Sequence, residues 1–216
     1  MYQNVIFDLD GTLLNTLEDL KDSTNYALAQ HSYPTRTLEE VRCFVGNGIR
    51  KLIDRAVPEG TSVEKTDKVF ATFREYYATH SRVKTSMYEG MEQVMDALKE
   101  QNISMAIVSN KADDAVKDLA KYYFAKYIDV AIGEREGISR KPAPDSVYEA
   151  MRLLGATKEN TVYVGDSDVD RATAKNAGIP CISVTWGFRS EELLVSLEPE
   201  YLIHKPEEIL SVVTGK

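Results

Sequence analysis

The sequence predicts an α/β fold in which a doubly wound parallel sheet is interrupted by an all-helical insert. Three observations predict it. Five short apolar runs rich in β-branched residues recur along the chain, amphipathic helical stretches separate the later runs, and a long span after the first run carries helical periodicity alone.

The first run is Val5-Ile6-Phe7, and the others are Ser104 to Val108, Ile128 to Ile132, Thr161 to Val164 and Cys181 to Val184. They are continuous rather than alternating, as expected of strands covered by helices on both faces. The stretches Glu89 to Gln101, Ala112 to Lys121, Pro144 to Leu154 and Val169 to Ala177 carry apolar residues at helical spacing. Strand and helix alternate, so right-handed crossovers build the parallel sheet. Between Asn15 and Thr85 the pattern changes: Leu17, Leu20, Thr24 and Leu28, then Val41, Phe44 and Val45, then Val69, Phe73, Tyr76 and Tyr77 follow helical spacing. Residues 15–85 are therefore expected as a separate helical domain, inserted into a core of residues 1–14 and 86–216. The tail from Pro206 to Lys216 is expected to form one short helix with a frayed end.

Composition narrows the classes of function. The chain has 216 residues, 43% hydrophobic and 28% charged, enough for a core that needs no staple. A net charge of -8 argues against nucleic acid and anionic membrane as partners. It leaves an anionic small molecule open, because one lysine and a bound cation can reverse the field inside a cleft. The start MYQNVIFDLD has no basic segment leading into an apolar one, and no stretch reaches the length of a membrane span. Cys43 and Cys181 are far apart and form no CxxC pair, which suits free thiols in a reducing cytoplasm. His31, His80 and His204 make no metal-ligand spacing and read as surface residues.

The chemistry concentrates where strands end. The first strand runs into Asp8-Leu9-Asp10-Gly11-Thr12. In open α/β sheets ligands bind outside the carboxyl ends of the strands. Two carboxylates placed there repel each other, which favours a cation between them. Gly11 permits a sharp turn. Taken alone, Asp-Gly after a strand is also an ordinary turn. The second strand ends in Ser109-Asn110-Lys111, a hydroxyl and backbone N–H groups before a helix, which suits either a phosphate site or a plain helix cap. The fourth run ends in Gly165-Asp166-Ser167-Asp168-Val169-Asp170, where acids also complement a helix dipole. Lys141 sits in a loop beside Pro142 and Pro144. Convergence of these four segments on one sheet edge is a coherent site; each by itself has a bland reading.

In order and spacing these segments resemble the motifs of the haloacid dehalogenase superfamily of phosphotransferases. Asp8, Asp10, Gly11 and Thr12 match its DxDGT motif, Ser109 its second-motif hydroxyl, Lys141 its third-motif lysine, and Asp166, Ser167 and Asp170 its GDSxxD motif. The resemblance covers nearly the whole chain. It implies a Rossmann-like core, with the helical insert as a cap domain. Within the superfamily the chain looks most like phosphoglycolate phosphatases, through Gly46-Asn47-Gly48, Leu52-Ile53 and Arg55-Ala56 in the insert and Lys141-Pro142-Ala143-Pro144-Asp145 in the core. Asn15 departs from the aspartate common at that hinge position.

The resemblance implies a Mg²⁺-dependent phosphatase acting on a small phosphorylated metabolite. Asp8 would be the nucleophile that becomes phosphoaspartate, and Asp10 the general acid and base. Ser109, the Asn110 N–H and Lys141 would bind the phosphoryl oxygens. Asp8, Asp166, the Asp10 carbonyl and Asp170 would serve the metal, and the cap would close over the site. Specificity would rest on Gly46, Asn47, Gly48 and Arg50. Arg50 reads equally well as a substrate-carboxylate ligand or as the partner of Asp54 one turn on. Two further readings stand beside the phosphatase. A sugar-phosphate mutase needs the same acid pair, but capped mutases typically carry Glu where this chain has Gly165. A non-enzymatic regulator would be suggested by loss of a catalytic acid, and none is lost.

Overall fold

The computed structural model describes residues 1–128 and 130–215. The chain divides into two compact units, Met1–Leu14 with Met87–Lys216, and Asn15–Ser86. In chain order, β1 (Asn4–Phe7) and the short β2 (Leu14–Asn15) precede four helices, α1 (Leu17–Gln30), α2 (Leu38–Phe44), α3 (Ile49–Ala56) and α4 (Val63–His80). The short β3 (Ser86–Met87) pairs with β2 where the chain passes between units. Then follow α5 (Met91–Glu100), β4 (Ser104–Ala112), α6 (Asp113–Tyr123), β5 (Val130–Glu134) and α7 (Asp145–Leu154). The chain finishes with β6 (Thr161–Gly165), α8 (Asp168–Ala177), β7 (Cys181–Val184), α9 (Glu191–Ser196), β8 (Tyr201–Ile203) and α10 (Glu208–Thr214).

Among the described residues six strands form one sheet in the order β5-β4-β1-β6-β7-β8, every pairing parallel. Side chains alternate across a strand, and the two faces of this sheet are both apolar. Val5 and Phe7, Met105 and Ile107, and Val162 and Val164 share one core with Val94 of α5, Val116 of α6 and Ile209 of α10. Ile6, Ala106, Val108 and Tyr163 face the other way, against Val147 of α7 and Ala174 of α8. Burial on both faces explains why the strands read as continuous apolar runs. Since helices cover both faces, the predicted doubly wound parallel sheet is the observed architecture.

Several boundaries differ from the sequence reading. β4 runs four residues past Val108, because its register against β5 shifts: it advances from Val108 to Ala112 while β5 advances from Ile132 to Glu134. The apolar pattern ends before this irregular stretch, so periodicity missed it. β5 starts at Val130 rather than Ile128, and Asp129 lies outside the described residues. The edge strand β8, three residues long, carries too short a run to stand out, and it exists by pairing with β7 from Ile182 to Val184. The expected tail helix is Glu208–Thr214, and Lys216 lies outside the described residues.

Within Asn15–Ser86 the helices begin at polar caps. Thr37 and Glu40 form a reciprocal capping box at α2, and the Ser62 hydroxyl accepts the Lys65 N–H at α4. Of the residues at the predicted helical spacing, Leu17, Leu20, Thr24 and Leu28, Val41 and Val45, and Val69, Phe73 and Tyr77 are buried, while Phe44 and Tyr76 are half-buried. Asp19, 3% exposed, accepts the Lys84 N–H with both oxygens at 3.0 Å and the Thr85 N–H at 2.9 Å, pinning the end of this unit to its first helix. The histidines are not uniformly superficial. His204 is exposed, while His31 and His80 are half-buried, His31 on the Thr72 hydroxyl at 2.9 Å and His80 stacked 3.7 Å from Tyr76.

Candidate active site

Asp8, Asp10, Ser109, Asn110, Lys141, Asp166 and Asp170 all belong to the sheet-bearing unit. Asp8 follows β1 directly, and its N–H donates to Val164 O at 2.9 Å, so the first acid is held against β6. After Asp8 the chain curls over: Leu9 O accepts the N–H groups of Leu13 and Leu14, each at 3.0 Å. Gly11 has φ +90°, and a Cβ there would lie 2.5 Å from Asp166 Oδ2. The glycine therefore serves both the expected turn and a close backbone approach to a carboxylate.

Asp166, 2% exposed, stands just beyond β6. The Phe188 N–H donates to its Oδ2 at 2.7 Å and the Thr12 hydroxyl to its Oδ1 at 3.4 Å. Gly187 leaves room on the far side, where a Cβ would meet Asp166 Cβ at 2.2 Å. Asp170 sits in the first turn of α8. Ser167 caps that helix and donates its hydroxyl to Asp170 Oδ2 at 2.5 Å. The other oxygen, Oδ1, accepts from Tyr163 OH at 3.0 Å and from Lys141 Nζ at 2.8 Å.

Lys141 joins these groups. Its ammonium, buried, lies 2.9 Å from Asp8 Oδ1, 2.8 Å from Asp170 Oδ1 and 3.0 Å from Tyr163 OH. Its backbone is fixed by Asn110, whose side chain accepts the Lys141 N–H at 2.9 Å and donates to the Lys141 carbonyl at 3.1 Å. The Asn110 side chain is thus a latch between β4 and the lysine loop, a job that sequence reasoning did not foresee. Ser109 Oγ accepts the Lys111 N–H at 3.2 Å.

The structure also assigns residues that the sequence reading left without a role. Lys111 Nζ donates to Asp10 Oδ1 at 2.9 Å and Oδ2 at 3.1 Å, with its side chain only 2% exposed. Tyr163 carries its hydroxyl to Lys141 and Asp170 from the centre of a strand. The only signal for Lys111 was its place after Ser109 and Asn110; for Tyr163 it was a polar tip in an otherwise aliphatic strand.

Oxygens of Asp8, Asp166 and Asp170 lie within 4.8 Å of one another. The Lys141 ammonium meets two of these three buried carboxylates, Asp8 and Asp170, so negative charge is in excess. Burial, then the charge of Asp170, raises Asp8 well above the ordinary carboxylate range despite Lys141. The same two causes push Asp166 up to about 7. Burial disfavours the charged form of Lys141, but Asp170 and Asp8 outweigh it and its pKa rises. A cluster of hard oxygen donors with uncompensated charge fits a divalent cation. The Asp10 carboxylate is paired with Lys111 and is not one of these three.

The predicted specificity residues lie in the helical unit. Gly46 and Gly48 adopt φ 118° and 81°, and the turn between them is tied down by Arg55, whose guanidinium donates to Asn47 Oδ1 at 2.8 Å and Phe44 O at 2.7 Å. Arg50 donates to Asp54 Oδ1 at 2.8 Å and pairs with Asp67. Its guanidinium therefore has two carboxylate partners within its own unit, the arrangement of the simpler of its two readings.

Comparison with known proteins agrees with this geometry. Residues 5–184 match the family described as haloacid dehalogenase-like hydrolase. Phosphoglycolate phosphatase 1 of Pseudomonas aeruginosa is 32% identical over 212 residues, 95% of this chain and 78% of that one. Pyrophosphatase PpaX of Halalkalibacterium halodurans is 30% identical over 215 residues, 98% of this chain and 97% of that one. A crystal structure from Lactobacillus delbrueckii subsp. bulgaricus, provisionally named a phosphoglycolate phosphatase, superposes with TM-score 0.94 at 32% identity, covering 100% of this chain and 99% of that one. The chain belongs to the haloacid dehalogenase-like hydrolase family and is a phosphatase of that family.

Proposed function

We propose that this phosphatase is a Mg²⁺-dependent phosphomonoester hydrolase of a small metabolite, working through a phosphoaspartate at Asp8. The observation that carries this reading is the buried Asp8 carboxylate, held 2.9 Å from Lys141 beside Asp166 and Asp170. A nucleophile at phosphorus must be ionised, aimed and shielded from repulsion by the phosphoryl oxygens. Lys141 orients one oxygen of Asp8, leaving the other for attack, and it opposes the negative charge of the incoming group. Ser109 offers a hydroxyl at the end of β4 for a phosphoryl oxygen. As the bond from Asp8 to phosphorus forms, the ester bond breaks, and Asp10 gives its proton to the departing oxygen. Water then attacks the phosphoaspartate, Asp10 takes the proton back, and Asp8 is released with inorganic phosphate. Asp8, Asp166, Asp170 and the Asp10 carbonyl would hold Mg²⁺, which supplies charge neutralisation at the phosphoryl oxygens and keeps Asp8 ionised.

These residues handle the phosphoryl group and the departing oxygen, which every phosphate ester has, so discrimination among esters falls to residues outside this set. The relatives' names make phosphoglycolate the first candidate substrate, with inorganic pyrophosphate the second. The mutase alternative is disfavoured by Gly165: a Cβ there would lie 2.3 Å from Asp170 Cβ, so the glutamate typical of capped mutases has no room. No described helix is long and apolar enough to cross a membrane. A reducing, cytoplasmic setting belongs to this reading, supported by the free thiols of Cys43 and Cys181. The test is phosphate release from a panel of phosphoglycolate, pyrophosphate, sugar phosphates and nucleoside monophosphates, with and without Mg²⁺. Turnover of one ester with release of free alcohol and phosphate is expected; turnover of pyrophosphate alone, transfer of phosphate to a second sugar position, or no turnover of any member, would overturn it.

A further inference from the structure

We propose that Lys111 is a positioning residue, whose ammonium grips the Asp10 carboxyl and aims it at the oxygen leaving phosphorus. The inference rests on the phosphatase reading above. Asp8 and Asp10, two residues apart, each have their own lysine. Lys141 pairs with Asp8 at 2.9 Å, while Lys111 reaches both oxygens of Asp10 at 2.9 and 3.1 Å. The pairing separates the two acids, one drawn into the Asp166–Asp170 cluster and the other drawn out of it.

The burial of Lys111 is informative. Its side chain is 2% exposed while that of Asp10 is 16% exposed. An ammonium taken out of water is retained only where partners offset its desolvation. The lysine end of the bond is thus fixed in the fold. Asp10 lies on the curl after β1, and Lys111 meets both of its carboxyl oxygens there. The irregular register of β4 between Val108 and Ala112 releases the strand from its regular ladder where Lys111 stands. When one oxygen of Asp10 carries a proton, the other still accepts from Lys111, so the O–H faces away from the lysine. Efficient proton donation requires that orientation.

A positioning role has a signature that a structural role lacks. The kcat/KM of a two-step phosphatase reports events up to release of the alcohol. A misaimed acid penalises basic leaving groups and spares those that depart without a proton. Phenyl phosphate and 4-nitrophenyl phosphate differ by one substituent and differ in that need. Lys111→Met should lower kcat/KM on phenyl phosphate by about tenfold more than on 4-nitrophenyl phosphate, part of the usual worth of a general acid. The excess should vanish in an Asp10→Asn background, where there is no acid to aim. Lys111→Arg, which keeps a cationic donor, should recover part of the difference. If Lys111→Met does not fold, Lys111→Gln supplies the same comparison, since it keeps a donor without the charge. Equal losses on both esters, or an undiminished excess in the Asp10→Asn background, would overturn the role of Lys111. Wild-type protein inactive on both esters and on every member of the metabolite panel would instead remove the phosphomonoester reading on which the inference stands.

Discussion

Lys141 Nζ lies 2.9 Å from Asp8 Oδ1, and the same ammonium reaches Asp170 at 2.8 Å. One lysine from a loop thus connects the end of β1 to the start of α8. The pairing leaves Asp8 with an excess of negative neighbours, because Asp170 and Asp166 both stand close to it against the one ammonium of Lys141.

Asp8→Asn should abolish turnover and leave the fold intact. An amide is nearly isosteric with the acid but a poor nucleophile at phosphorus. The check is steady-state hydrolysis of 4-nitrophenyl phosphate beside a thermal melt. Wild-type turnover by a folded Asp8→Asn protein would rule out the covalent route.

Chelation should remove activity and Mg²⁺ should restore it, while Ca²⁺ should inhibit. Calcium takes more oxygen ligands at longer distances than magnesium, so it would let both oxygens of Asp8 coordinate and spoil its aim. Assays in excess EDTA, then after addition of each cation, decide the matter. Full activity in excess chelator would contradict the assignment of the three carboxylates.

The stability of metal-free protein should fall as pH rises from about 4 to about 7. The folded-state pKa of Asp166 is pushed up to about 7 by burial and then Asp170, above the ~3.9 of an unfolded aspartate. Between those values the folded state binds more protons than the unfolded one, so raising pH favours unfolding. Asp8, also raised, acts in the same direction. Mg²⁺ should oppose the loss, and its stabilising effect should grow across the window. Thermal melts with EDTA or Mg²⁺, compared with Asp166→Asn to isolate the site, supply the measurement. A melting temperature in EDTA with the same pH slope in wild type and Asp166→Asn would contradict the prediction.

Gly165→Ala should destabilise the protein by about 1–3 kcal/mol, the usual cost of overpacking. The added Cβ would lie 2.3 Å from Asp170 Cβ and 2.5 Å from its Cγ, so α8 or the carboxylate must move. Activity should fall with it, because Asp170 holds Lys141. Denaturant unfolding and kcat on one ester together test this; unchanged values of both would show that the contact relaxes freely.

Arg50→Ala should cost about 0.2–1 kcal/mol of stability, the range of exposed ion pairs. Arg50 and Asp54 are each 33% exposed in their side chains, and Asp67 is more so. Any change in kcat/KM should be the same for phosphoglycolate and for 4-nitrophenyl phosphate. A loss confined to phosphoglycolate would show that Arg50 leaves its aspartates to meet a substrate carboxylate.

What the sequence determined by itself was the architecture and the location of the acids. Apolar runs on both faces of each strand demand helices on both sides, and Asp8, Asp10, Asp166 and Asp170 follow immediately where those runs stop. A capping box between Ser167 and Asp170 is also a local matter, three residues apart on one helix turn. Tertiary structure decided the partners. The Asn110 side chain latches the backbone of Lys141, Lys111 grips Asp10, and Tyr163 bridges Lys141 and Asp170. The polar tip of Tyr163 and the place of Lys111 after Ser109 and Asn110 were the local signals, and neither names a partner. The extension of β4 and the existence of β8 were likewise decided by neighbouring strands. The physical reason is range. Periodicity encodes which side of an element is removed from water, and each element carries that record in its own residues. A buried polar group is satisfied by whichever distant strand end or loop arrives beside it, and that arrival exists only once the sheet is assembled.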